Sequence, residues 1–379
     1  AHLLFEMLRG ETITAGWKDD SVKEALDLCL ACKGCKGDCP VNVDMATLKA
    51  EFLSHYYDKR LRPRQAYFFG LIFIWARMAS YAPWLANFST RTPLLRDVAK
   101  KLSGMAPQRT IPRFANRSFK DGFRPVKTNG EQVILWPDTF NNYFHTDVAH
   151  AAASALQAAG FDVTVPPQTL CCGRPLYDYG MLSKAKRQLE QIIDALREPI
   201  RAGRPIVVLE PSCLSVFRDE MVDLFPQDED ARRLSRQALS LSEFLLSRNV
   251  ELPKLSSEAL VQGHCHQQSV LGMQADEEVY KRLGLNYDLL DAGCCGMAGS
   301  FGFEEGEKYD VSVAAGEHAL LPAVRNASSN TLVLADGFSC QEQIDQLTPR
   351  HALHLAQVVD MAYRQGQRGR SRSEDQASG

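Results

Sequence analysis

The sequence predicts an α/β fold built twice over, preceded by an all-helical, cysteine-dense segment. From about residue 131, short apolar runs alternate with longer amphipathic stretches, the signature of strand–helix units with largely parallel strands. A Cys-Cys-Gly triplet occurs twice, at 171–173 and 294–296, each after a strand-like run and each followed by a lone cysteine, Cys213 or Cys340. Four more cysteines crowd into residues 29–39, where no strand periodicity is visible.

Asp20-Ser21 is expected to cap a helix over 22–28, and a second helix is expected over 43–57 after Pro40, which leaves the first cysteines in a loop between helices. Residues 61–127 read as a basic, Pro-punctuated connector around an aromatic helix. Its apolar run at 67–76, Tyr-Phe-Phe-Gly-Leu-Ile-Phe-Ile-Trp-Ala, is far too short to span a bilayer. We expect it buried between helices rather than docked on a membrane or partner. Strands are then expected at 133–136, 161–165 and 206–209, and again at 259–261, 287–290 and 331–334. Helices at 145–159, 181–196, 277–283 and 307–319 alternate with them. The order repeats, and the cysteines keep register with it. Both cysteine sets fall after strands, where parallel α/β sheets place their ligands. The chain thus divides into 1–60, 61–127, a first half-domain at 128–256, a second at 257–364, and a polar tail at 365–379 expected to be disordered.

Composition narrows the function. A net charge of −3 over 379 residues gives no general pull toward nucleic acid or an anionic surface. Residues 1–6 show neither an initiator Met nor a signal-peptide pattern, and read as the middle of a longer chain. Eleven cysteines in a large chain without a signal argue for metal rather than a secreted disulfide framework.

The strongest motif is Cys29-x2-Cys32-x2-Cys35-x3-Cys39-Pro40. A tight loop with Gly34 and Gly37 can aim thiolates at a cubane [4Fe–4S] core, and this is the bacterial ferredoxin spacing, whose fourth cysteine serves the other cluster in two-cluster proteins. Zinc usually takes two separated cysteine pairs, so a cluster is favoured. A second copy of the run is not present. Either the partner motif lies upstream of Ala1 and Cys39 serves a second cluster, or Cys39 closes a single cluster locally.

The paired cysteines point to a second site. Vicinal cysteines rarely bond to each other, but neighbouring thiolates can bind different irons. Cys265, Cys294, Cys295 and Cys340 supply four thiols from three loops, with His264 and His266 as flanking ligands or donors, although structural histidines are commoner. The first half offers Cys171, Cys172 and Cys213, and its loop at 137–142 has no counterpart of Cys265. Three thiols there bind metal alone, pack as a relic, or join a site shared across the interface. The glycine-rich stretch 293–302 lacks both the P-loop Lys and the dinucleotide fingerprint, so its glycines are better read as close backbone approach to a cluster.

At these residues the chain resembles the cysteine-rich CCG family. That family includes the B subunit of heterodisulfide reductase, the iron–sulfur subunit of glycolate oxidase and the C subunit of anaerobic glycerol-3-phosphate dehydrogenase. It is most similar to the C-terminal iron–sulfur part of FAD-linked D-2-hydroxyacid dehydrogenases of the D-lactate and D-2-hydroxyglutarate type. The resemblance implies a duplicated βαβ-type CCG domain behind an incomplete, all-α ferredoxin-like segment at 1–60. It also implies FAD on an upstream dehydrogenase domain that is this chain's partner. Cys265, Cys294, Cys295 and Cys340 would inherit a non-cubane cluster. The family's Cys-x-x-Cys is reduced here to Gly337-Phe-Ser-Cys340 and Glu210-Pro-Ser-Cys213, which leaves a smaller cluster or zinc open.

The reading is therefore an oxidoreductase component that carries electrons to a quinone or a carrier protein. It is expected in the cytoplasm or peripheral at the inner face of the membrane, with no transmembrane segment and no nucleic-acid partner. No hydride-acceptor, acid–base or nucleophile motif is visible, so the chain alone is not expected to be catalytically complete. The rivals are a zinc-stabilised docking module and a thiol–disulfide oxidoreductase using Cys171-Cys172 or Cys294-Cys295.

Overall fold

The computed structural model describes residues 1–377, with side chains through residue 368. It is a mixed α/β fold around two parallel sheets. The first holds β1 (Gln132–Trp136), β2 (Asp162–Thr164), β3 (Ile206–Val208) and β4 (Ala238–Leu239) in the order β2-β1-β3-β4. The second holds β5 (Glu258–Gln262), β6 (Asn286–Leu289) and β7 (Leu332–Ala335) in the order β6-β5-β7. Every pairing is parallel. The central strands read Gln-Val-Ile-Leu-Trp and Glu-Ala-Leu-Val-Gln and are buried beyond their first residue, as strands covered on both faces must be. Trp136 pairs with Val208 and Gln262 with Ala335, so β1, β2 and β3 stand where β5, β6 and β7 stand in the other sheet.

One apolar cluster joins the sheets. Val133 and Leu135 share it with Val261 and Leu334, together with the helix Thr146–Ala158 and the last helix, Leu355–Ala377. Alanines at 149, 152, 153 and 155 let the first of these helices approach Ala356, Val359 and Ala362 of the other closely. The last helix runs into the segment expected to be a disordered tail, whose residues 378–379 lie outside the described residues.

The N-terminal helices His2–Arg9, Asp20–Asp27 and Met45–Tyr56 pack through Leu4, Met7, Val22, Leu26, Phe52 and Leu53. The cap of the second is Asp19, one residue before the expected pair, and Asp44 caps the third by accepting from the N–H groups of Ala46 and Thr47. The connector holds five short helices, Arg64–Phe68, Ile72–Ala79, Pro83–Arg91, Pro93–Ser103 and Phe119–Gly122, rather than one aromatic helix. Pro83 and Pro93 break the run and open new first turns. Expected burial of the 67–76 run holds on one side only. Gly70 and Ala76 are buried, whereas Tyr67, Phe68, Ile74 and Trp75 are exposed, because this run is apolar all round and only one face has a neighbour. Among the described residues no helix is long and apolar enough to cross a membrane.

Candidate metal centre

In the second repeat each strand end delivers sulfur. Cys265 follows β5, Cys294 and Cys295 follow β6, and Cys340 lies in the first turn of the helix Phe338–Leu347 after β7. The thiols perturb one another in sequence: Cys294 raises Cys265, Cys295 raises Cys294, and Cys340 raises Cys295. Contact with Cys294, then burial, pushes the Cys265 thiol well above its ordinary value. Gly296 has a φ of 91°, its N–H lies 3.4 Å from Cys294 Sγ, and an added Cβ would collide with the carbonyl oxygen of Ser312. The glycine of the triplet is what lets the helix Glu307–His318 close over the sulfurs.

The histidines behave differently from each other. His264 Nδ1 accepts the N–H of His266 at 3.1 Å and lies 4.0 Å from Cys265 Sγ, so its lone pair is already engaged. His266 uses Nε2 toward the carbonyl oxygen of Ala31 at 3.1 Å. Burial, then the charge of Arg174, holds His266 well below the usual imidazole value, and its Nδ1 is buried with no hydrogen-bond partner.

The first repeat repeats the placement with a change. Cys171 and Cys172 follow β2, and Cys213 lies in the first turn of Pro211–Arg218 after β3. Cys172 Sγ is 2.8 Å from Cys213 Sγ, and burial pushes the Cys213 thiol up to about 12. Three residues beyond the paired Trp136 and Gln262 stand Thr139 and Cys265, so Thr139 occupies the place of the fourth thiol. Its hydroxyl donates to Cys171 Sγ at 3.4 Å. Sequence reasoning marked the loop at 137–142 but not this residue, because only the strand register aligns the two loops.

The first cysteine loop is seated between the repeats. Burial raises the Cys32 thiol above its ordinary value, and Cys265 of the second repeat adds to the rise along with Cys29 and Cys35 of its own loop. The carbonyl oxygen of Ala31 accepts from His266 of the second repeat and from Arg174 of the first, the latter at 3.3 Å. Lys33, fully buried, reaches Asp44 at 2.9 Å, Asp219 at 2.7 Å and Glu220 at 3.1 Å. Lys49 donates to the carbonyl oxygen of Cys29 at 2.6 Å, and the Met45 N–H lies 3.4 Å from Cys35 Sγ. Cys39 turns elsewhere. The N–H groups of Val43, Val41 and Asn42 surround its sulfur and hold the thiol below its ordinary value. The loop also contains a short helical stretch, Gly34–Asp38, which its glycines and cysteines do not signal.

A cleft of about 170 Å³ opens between the repeats, lined by Ala31, Cys171, Cys172, Cys213 and Cys265, with Phe69, Phe140 and Phe338 making much of the wall apolar. Among the described residues no three His, Cys, Asp or Glu side chains close on a single metal ion.

Comparison with known proteins agrees with this layout. The model of the cysteine-rich domain CCG matches residues 139–218, from Thr139 to the end of the helix that carries Cys213. Lactate utilization protein A of Bacillus velezensis is 30% identical over 183 residues, covering 45% of this chain and 74% of that protein. The chain belongs to the CCG cysteine-rich family. Other relatives of this CCG protein reach further along it. D-2-hydroxyglutarate dehydrogenase of Escherichia coli is 26% identical over 355 residues, 89% of this chain. The C subunit of anaerobic glycerol-3-phosphate dehydrogenase from the same organism is 26% identical over 294 residues, 74% of this chain and 72% of that protein. The chain spans only about a third of the D-2-hydroxyglutarate dehydrogenases it matches, 34% in the Escherichia coli case.

Proposed function

We propose that this chain is the iron–sulfur electron-transfer part of an FAD-linked dehydrogenase of the D-2-hydroxyacid type. The observation that carries the reading is the hydrogen bond of His266 Nε2 to the carbonyl oxygen of Ala31, which ties the ferredoxin-type loop, next to Cys32, to the residue beside Cys265 in the second repeat. The two sheets are read as a duplicated βαβ-type unit, and residues 1–60 as part of a ferredoxin-like fold.

In this reading Cys29, Cys32 and Cys35 hold a [4Fe–4S] cluster, and Cys39 serves a second one. Cys265, Cys294, Cys295 and Cys340 hold a further iron–sulfur centre. Bound clusters supply one-electron storage at potentials tuned by charge, hydrogen bonds and burial. This chain's residues supply the tuning. The thiols give up their protons on loading. Cys213 and Cys340 sit in first turns of helices, where the helix dipole favours negative charge. Buried Lys33 and Arg174 place cations beside the Ala31–Cys32 loop. FAD on an upstream domain would feed the loop, and a quinone or a carrier protein would drain the cleft. A cytoplasmic or inner-face location suits such a partner.

Iron, sulfide and zinc content with EPR, on protein purified without oxygen, tests this. We expect about four or more each of iron and sulfide per chain and a reducible signal. The Cys32→Ala variant should lose the loop's signal and, in the intact enzyme, electron flow to the acceptor; normal acceptor reduction would overturn the role. Zinc with no iron would favour the zinc-stabilised docking module instead. The thiol–disulfide reading needs a low-pKa thiolate, whereas burial and neighbouring thiols raise Cys171, Cys172 and Cys295 well above their ordinary values.

A further inference from the structure

We infer that the helices from Arg64 to Ser103 form a docking face for an anionic lipid bilayer. The face is apolar and open to solvent: Tyr81 is 78% exposed, Trp84 72% and Leu94 75%, with Trp75, Phe88 and Leu102 exposed beside them. Six large apolar side chains left in water on three consecutive helices and the turn between the first two exceed what a surface ordinarily tolerates without an occupant. The mixture of Trp and Tyr with aliphatic residues suits the boundary between headgroups and acyl chains.

Charge selects the occupant. Between residues 59 and 104 basic residues outnumber acidic ones nine to one, in a chain whose net charge is −3. Arg77, Arg91 and Lys101 are exposed on the same helices as the aromatic side chains. A basic, aromatic-rich face is complementary to anionic headgroups, each nearby cation adding to the attraction. A second copy of the chain would bring two such basic surfaces together, and like charges oppose that pairing. The face is also continuous with the cysteine cleft, because Phe69 and Ile72, on the chain leading into these helices, line its wall. A protein seated this way would turn the cleft toward the bilayer interior without inserting a spanning helix.

The face is anchored to both repeats, to the first through Arg62 just ahead of it, which donates to the carbonyl oxygens of Tyr179 and Gly180, so docking would orient the whole molecule. Asn87 bonds the backbone of Phe114 through both its amide atoms, at 2.8 and 3.0 Å, and Arg64 pairs with Glu305 of the second repeat. Fully buried Arg109 follows, donating to the carbonyl oxygen of Gly302 at 2.7 Å and to Ser312 Oγ at 3.0 Å.

The inference stands apart from the electron-transfer reading, because its test needs no cluster. Vesicle co-sedimentation of the purified chain would compare phosphatidylcholine alone with phosphatidylcholine plus phosphatidylglycerol, at low and high salt. We expect binding to the anionic vesicles, weakened by salt. The Trp84→Glu/Leu94→Glu variant should bind at least about tenfold more weakly, and Arg77→Glu/Arg91→Glu should lose the preference for anionic lipid. These positions are exposed, and circular dichroism would verify that each variant keeps its fold. Failure of the wild type to bind, or equal binding to both vesicles, would overturn the proposal. So would sedimentation equilibrium showing a dimer that Trp84→Glu/Leu94→Glu dissolves, which would assign the face to a second copy.

Discussion

The two repeats set sulfur at the same strand ends but surround it with different chemistry. Beyond β5 stand His264 and Cys265; at the same register beyond β1 stand Asp138 and Thr139. The second repeat therefore assembles four thiols, and the first assembles three and a hydroxyl. The first repeat contributes in another way, since Asp219, Glu220 and Arg174, which grip the first cysteine loop, all belong to it. The second repeat holds that loop through the His266 to Ala31 hydrogen bond. One half carries the four thiols, and the other grips the first cysteine loop.

The sharpest way to break this division is to remove one thiol from each half. Cys295→Ala should cost the iron of a whole cluster, whereas Cys172→Ala should leave iron content and the EPR signal nearly unchanged. Equal losses would mean that the halves share one site. The loop's fastening should show next. Lys33→Met removes the buried cation shared by Asp44, Asp219 and Glu220, with Lys36 still paired to Asp219 and Arg174 to Glu220, which should lower stability by about 3 kcal/mol, the low end for a broken buried pair, in chemical denaturation. The same change at the more exposed Lys36 should cost well under that.

A gain should be smaller than those losses. Thr139→Cys restores a fourth thiol to the first repeat and should raise iron or zinc uptake there; unchanged metal content would mean the site has lost more than a ligand. The smallest effect concerns pH. Burial, then the nearby Glu210 carboxylate, pushes Asp138 up to about 6 from the ordinary 3.8. A carboxyl raised in the folded state contributes stability below its unfolded value and loses that contribution as pH climbs through the folded value. Melting temperature should therefore fall between about pH 4 and pH 6, by at most about 3 kcal/mol of stability. Asp138→Asn keeps the helix cap and should flatten that fall. The second repeat, with His264 at this place, has no carboxyl there to titrate.

Much of this was legible in residue patterns. Short buried runs such as Ile206–Val208 and Leu332–Ala335 announced strands, and the repeated triplet announced which strand ends matter. Three things were not legible. The two-residue β4 is too short to carry a periodicity. Lys33 looks like any loop lysine until folding brings Asp219 and Glu220 beside it from almost two hundred residues away. The apolar connector reads the same whether a helix or solvent lies against it, because hydropathy reports what a side chain prefers, not what it meets.

One contact between the halves bears on how such a chain changes over generations. Glu210 of the first repeat accepts the N–H of Phe338, at the start of the helix that carries Cys340 in the second. His354, near the chain's end, lies 3.1 Å from the carbonyl oxygen of Leu209. Once twin units clasp each other in this way, neither can be shed without baring the other's buried polar groups. The half that carries Thr139 in place of a fourth thiol is thus still needed, because the helix that bears Cys340 starts against its Glu210.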